Sequence, residues 1–161
     1  MTGIYLLLGS NLGDKRHYLM QARNQIEQRL GSVVKQSSLY QTEAWGMQSS
    51  PAFLNQVLLI DSKKTPFALL NELLKIEASL ERIRQSEYVN RTIDIDILYY
   101  HDLIINHSEL IIPHPRISQR RFVLVPLAEI APKAVHPVLQ ETNLQLLKKC
   151  TDPLAVTRMQ V

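Results

Sequence analysis

The sequence predicts an α+β fold, a ferredoxin-like β-α-β-β-α-β core with additions at its C-terminal end. Three observations carry this. A short apolar run at residues 4–8 is followed by a helical stretch. Two β-prone runs, 33–40 and 53–60, then follow each other with no helix between them. A second helical stretch leads into a strand of alternating character near residue 95. That order implies a mostly antiparallel sheet covered by helices.

Each element has its own warrant. Ile4–Leu8 is apolar and β-prone, and GSNLGD (9–14) reads as a turn in which Asp14 can cap a helix. Tyr18, Ala22, Ile26 and Leu30 recur every fourth residue and mark the core face of that helix, which Gly31 ends. Val33–Tyr40 and Phe53–Ile60 are strands, joined by the long loop QTEAWGMQSSPA; loops of that length in compact domains are often functional. Thr65 and Pro66 open the second helix as N-cap and first helical residue. Its apolar positions are Leu69, Leu70, Leu73, Leu74, Ile76 and Leu80. ERIRQSEYVN is loop-like. In NRTIDIDILYY (90–100), Ile93, Ile95 and Ile97 alternate with Asp94, Asp96 and Leu98, which is a strand with two distinct faces. HDLIINHSELIIP reads as a short hairpin and Arg121–Ile130 as a helix. Beyond residue 133 a short helix near Leu144–Lys149 is the one element expected.

Composition narrows the class. The 161 residues are 45% hydrophobic and 20% charged, the balance of one globular domain, so residues 1–161 are taken as a single domain. No apolar run approaches the roughly 20 residues needed to cross a bilayer. The N-terminal apolar run is short and lacks a basic flank, so it reads as a strand rather than a signal peptide, and the expected compartment is the cytoplasm. A single cysteine, Cys150, excludes an internal disulfide and a cysteine zinc site. The net charge of +3 suits a small anionic ligand and is weak for a dedicated nucleic-acid binder. No P-loop signature is present. His17, His101 and His107 are expected at the surface, and His136–Pro137 in a turn. Glu129 and Lys133 are read as solvated.

The chemistry concentrates in the acidic strand. Asp94 and Asp96 project from one strand face, their backbones about 6.6 Å apart. Like charges so close call for a positive partner. A hard divalent cation is one candidate and neighbouring arginines are another. Arg82, Arg84 and Arg91 precede the pair, and Arg116, Arg120 and Arg121 follow it. Arginine forks match phosphate oxygens.

Taken together, GSNLG, YQTEAWG, PAFLN, the Arg-x-Arg of residues 82–84, NRTIDIDIL and IPHPRISQRRFVLVPLAEIAP closely resemble the 6-hydroxymethyl-7,8-dihydropterin pyrophosphokinases of folate biosynthesis. The resemblance runs from residue 3 to about 137, in family order. It implies an enzyme that moves the terminal pyrophosphoryl group of ATP to the pterin's hydroxymethyl oxygen and releases AMP. It further implies two Mg²⁺ ions on Asp94 and Asp96, with Arg82 and Arg91 on the phosphates during transfer. Glu77, Arg82, Arg84, Arg91, His114 and Arg120 would line the ATP site. Asn55 would contact the pterin edge, Phe53 and Phe122 would sandwich its ring, and Thr42, Ala44 and Trp45 would belong to the loop that reads it. Phe53 stands where the family often has Tyr, and Glu43 and Ala44 stand where it often has two prolines. A monomer without nucleic-acid or membrane partners is expected. Two other readings fit the layout. A nucleic-acid-binding sheet would need exposed aromatics on its central strands. A metal-dependent phosphohydrolase would release phosphate without a pterin acceptor.

Overall fold

The computed structural model describes residues 3–43, 52–80 and 92–160. The expectations placed on Ala44, Trp45, Arg82, Arg84 and Arg91 lie outside these residues.

The chain forms β1 (Ile4–Ser10), α1 (Lys15–Arg29), β2 (Gly31–Gln36), β3 (Tyr40–Thr42) and β4 (Phe53–Ser62). There follow α2 (Pro66–Leu80), β5 (Asp94–Tyr100), a two-strand ribbon of β6 (Ile105–Asn106) and β7 (Ile111–Ile112), α3 (Arg121–Ile130), α4 (Asn143–Lys149) and β8 (Val156–Arg158). The main sheet runs β5-β1-β4-β3-β8, with β2 also on β4, and every pairing is antiparallel. The first strand and the strand before α2 sit centrally, as the ferredoxin-like arrangement requires. Among the described residues no helix is long and apolar enough to cross a membrane.

Alternation along the strands gives the sheet two apolar faces. One carries Ile4, Leu6, Leu8, Leu58, Ile60, Ile93, Ile95 and Ile97 and packs against α1 and α2 through Leu19, Ala22, Ile26, Leu69, Leu73 and Ile76. The other carries Tyr5, Leu7, Val57, Leu98 and Tyr99 and packs against α3 and α4 through Val123, Leu124, Leu127 and Leu146. The helix starts read from the sequence are present. Asp14 Oδ1 accepts from His17 N at 3.2 Å, and Thr65 Oγ1 accepts from Ala68 N at 3.4 Å. Gly31 ends α1 with φ 150°, where a Cβ would stand 1.9 Å from Asp61 O. No other residue type fits that approach.

Local differences from the sequence reading have physical causes. Val33–Tyr40 is two strands, not one. The register slips between Val33 and Lys35, and buried Ser37 interrupts the run, its Oγ accepting from Val57 N at 2.9 Å. Glu129 is not merely solvated: its carboxylate accepts from Ser38 N, Ser38 Oγ and Tyr40 Oη at 2.8–2.9 Å, pinning the β2–β3 junction to α3. On α1 the innermost residue of the first turns is Leu19, while Tyr18 is half-buried beside Gly13. Leu74 is 51% exposed and faces away from the core. β5 starts at Asp94, and its pairing with β1 skips Leu98, a bulge that turns both Leu98 and Tyr99 toward α3. β8 has no counterpart in the sequence reading.

Candidate active site

Antiparallel register assembles the site in rows. Asp94 lies opposite Gly9 on β1, Gly9 opposite Asn55 on β4, and Asn55 opposite Tyr40 on β3. Residues directly opposite share a face, so all four lie on the α3 side. Asp96 opposes Leu7 one step along that face, and Phe53 opposes Thr42 at the other edge. With strands about 4.8 Å apart, the acidic end and Asn55 are about 10 Å apart across β1. Gly9 is part of this design. A Cβ there would stand 2.7 Å from Asn55 Nδ2, which instead reaches across to donate to Leu8 O at 3.3 Å. The stretch read as a mere Gly-rich turn thus ends a strand and leaves room for the asparagine.

Three buried side-chain oxygens have no hydrogen-bond partner among the described residues: Ser10 Oγ, Thr42 Oγ1 and Asn55 Oδ1. A buried polar atom left unsatisfied costs about 1–3 kcal/mol, so such groups point to a ligand or water that satisfies them. Thr42 and Asn55 are two of the positions expected to bind the substrate. Ser10, opposite Leu54, lies on the α1–α2 face of the sheet and is not part of this row.

The acidic end is electrostatically crowded. Glu77 on α2 sits beside Asp94, and its Oε2 accepts from Ile95 N at 2.7 Å. Burial first, then the charge and hydrogen bond of Asp94 and the charge of Asp96, push the Glu77 carboxyl up to about 8, against the Ile95 bond that lowers it. Crowded carboxylates of this kind fit a hard divalent cation. Among the described residues no group of three or more His, Cys, Asp or Glu is arranged to hold a metal. A cation on Asp94 and Asp96 would therefore complete its shell with phosphate oxygens and water, as Mg²⁺ commonly does.

His114 and Arg120 stand opposite. His114 N donates to Leu98 O at 3.0 Å, and its Nδ1 accepts from Arg116 N at 3.2 Å. Burial and the charges of Arg120 and Arg116 hold the imidazole below its usual value, against the pull of Asp94. The Arg120 guanidinium lies 5.6 Å from the centroid of the Phe122 ring, a cation–π contact. Burial and Arg116 lower its proton affinity, while Asp96, Asp94 and Asp152 oppose that. The structure thus gathers Glu77, Asp94, Asp96, His114 and Arg120 at one end. It sets Thr42, Phe53 and Asn55 along the same face, and puts Phe122 in the first turn of the helix that covers it.

Residues 5–132 match the family model described as 7,8-dihydro-6-hydroxymethylpterin-pyrophosphokinase (HPPK). The chain is 42% identical over 161 residues to the 2-amino-4-hydroxy-6-hydroxymethyldihydropteridine pyrophosphokinase of Methylorubrum extorquens, covering 99% of this chain and all of that one. It is also 42% identical over 127 residues to the Bacillus subtilis protein of the same name, covering 78% and 76% of the two. Among solved structures, wild-type Plasmodium falciparum HPPK-DHPS superposes with a TM-score of 0.71 at 16% identity. That match covers 92% of this chain and 45% of that longer one, and it speaks for the fold. The chain belongs to the 7,8-dihydro-6-hydroxymethylpterin-pyrophosphokinase family.

Proposed function

We infer that this protein transfers the pyrophosphoryl group of ATP to the hydroxymethyl oxygen of 6-hydroxymethyl-7,8-dihydropterin, releasing AMP, as a step in folate biosynthesis. The observation that carries the reading is the row Asp94–Gly9–Asn55. It sets a carboxylate pair about two strand spacings from buried, unpartnered acceptors on the same face. A triphosphate tail and a flat polar heterocycle fit side by side on such a row.

In this reading the pterin rests between Phe53 and Phe122, where ring stacking orients it. Thr42 and Asn55 give their unpartnered oxygens to its N–H edge. The hydroxymethyl oxygen attacks the β-phosphorus and releases its proton to solvent. The new O–P bond forms as the bond to the α–β bridging oxygen breaks, and AMP leaves. Asp94 and Asp96 would hold Mg²⁺, two ions by family resemblance, which would neutralise charge on the triphosphate. Glu77, its carboxyl raised by burial and by its acidic neighbours, accepts from Ile95 N and so steadies the strand that carries the pair. Arg120 presents a fixed positive charge to the phosphates, and neutral His114 offers its remaining ring nitrogen to the nucleotide. Arg82, Arg84 and Arg91 are assigned to the same phosphates, and Ala44 and Trp45 to the pterin-reading loop, by resemblance. Positioning and charge neutralisation provide most of the acceleration in such transfers. The same reading takes the 161 residues as one domain, acting as a cytoplasmic monomer; a monomer mass in sedimentation checks the oligomeric state.

The deciding experiment mixes protein, Mg²⁺, ATP and the hydroxymethyl-dihydropterin and separates the nucleotides. AMP together with a pyrophosphorylated pterin is the expected result. ADP, or inorganic phosphate without any change in the pterin, overturns the reading and leaves a monophosphoryl kinase or a phosphohydrolase.

A further inference from the structure

The segment after α4 joins two walls of the proposed pterin site. Helix α3 begins at Arg121, and its N-cap, Arg120, makes no side-chain capping bond. The missing acceptor comes from 31 residues further along the chain. Asp152 is 6% exposed, and its Oδ2 accepts from Arg121 N at 3.0 Å. Its other oxygen, Oδ1, accepts from Leu154 N at 3.0 Å, and its backbone carbonyl accepts from Arg121 Nε at 3.2 Å. A carboxylate here also complements the positive end of the helix. The residue so gripped lies between Arg120 and Phe122. From Asp152 the chain runs directly into β8, which pairs with β3 so that Val156 opposes Thr42 and Arg158 opposes Tyr40. Met159 N then donates to Leu39 O at 2.8 Å, and Arg16 Nη2 donates to Gln160 O at 3.0 Å. One strap thus ties the Phe122 turn to the Thr42 strand.

We propose that Asp152 is a positioning residue for the transfer reaction: its carboxylate fixes the first turn of α3, and with β8 it sets the placement of Phe122 relative to Thr42. The proposal rests on the pterin-binding role inferred above. Asp152 acts through Arg121 and touches no substrate. A carboxylate suits the task because both oxygens accept, one from the helix start and one from the strap. Asparagine keeps one acceptor, and alanine keeps none.

The test compares the full chain with Asp152→Ala and Asp152→Asn, measuring KM for the pterin and for ATP, and amide hydrogen exchange at residues 121–124. Loss of a capping acceptor corresponds to roughly a fivefold effect. Asp152→Ala is therefore expected to raise the pterin KM roughly fivefold, with a smaller rise for ATP. Exchange should quicken at 121–124 while β1 and β4 are unaffected. Asp152→Asn should fall between, and it folds under milder strain if the alanine variant does not fold. Faster exchange with an unchanged pterin KM would reduce Asp152 to a purely structural group and overturn the proposal. Unchanged exchange, or equal rises in both KM values, would overturn it as well. A wild-type chain that yields no AMP fails the functional reading itself. Wild-type AMP production beside a variant of unchanged pterin KM fails the strap alone.

Discussion

Asp94 and Asp96 stand half-buried on one face of β5, and their charges add to burial in raising the Glu77 carboxyl. Removing one of the pair should relieve crowding rather than open a cavity. Asp94→Ala is accordingly expected to melt no lower than wild type while losing at least two orders of magnitude in AMP release, the scale on which charge-stabilising groups act in transfer chemistry. Retained activity in either Asp94→Ala or Asp96→Ala would remove the metal assignment. Phe122→Ala should weaken pterin binding about tenfold, the worth of one stacked ring face, with ATP binding much less affected; equal losses in a calorimetric titration would argue against the wall. His136 provides a pH signature of the fold. It is 5% exposed, and its Nδ1 accepts from both Val138 N and Leu139 N, so a proton there would meet two N–H groups. Burial holds its folded-state value below the ordinary 6.5. Its stabilising contribution is therefore complete above the unfolded value and is lost as pH falls from there through the lowered folded value. His136→Asn keeps an acceptor without titrating. Its denaturation midpoint should fall less than that of wild type between neutral pH and about pH 5.

Among the elements, periodicity and capping made both long helices legible, and alternation made the acidic strand legible. What escaped the sequence depends on partners remote in the chain. Leu98 and Tyr99 share a face because β5 bulges against β1, and nothing in ILYY marks where a neighbouring strand will slip. β8 is three residues long and exists by pairing with β3, so its pattern is too short to read. Glu129 looks like any solvated helix residue until Ser38 and Tyr40 arrive from about 90 positions away. Gly31 shows the opposite case, a junction written in one residue. Its φ of 150° and the 1.9 Å approach of Asp61 O to a Cβ predict that Gly31→Ala destabilises by about 2 kcal/mol or more. Urea denaturation would measure this directly, and a neutral result would mean that the α1–β2 junction can relax.

At the scale of the whole molecule, the site is a property of the sheet and not of any one segment. The family motifs pointed to Thr42, Asn55, Asp94 and Asp96 separately; the antiparallel register of four strands makes them one surface. The arrangement around Asp152 was invisible because its partner is fixed by the path of the tail and not by a local pattern. A site assembled in this way should couple ligand binding to global stability. A ligand held at about 100 times its dissociation constant stabilises by about 2.7 kcal/mol, which for a domain of this size raises the melting midpoint by roughly 5–10 °C. A non-hydrolysable ATP analogue with Mg²⁺ should produce that rise in the wild-type chain, and a chelator should abolish most of it. In a double variant carrying Asp94→Ala and Asp96→Ala the analogue should shift the midpoint little, and by the same amount with or without Mg²⁺. If the double variant kept the full Mg²⁺-dependent rise, the cation would have to be bound elsewhere, and the carboxylate pair would need another explanation for standing on that face of β5.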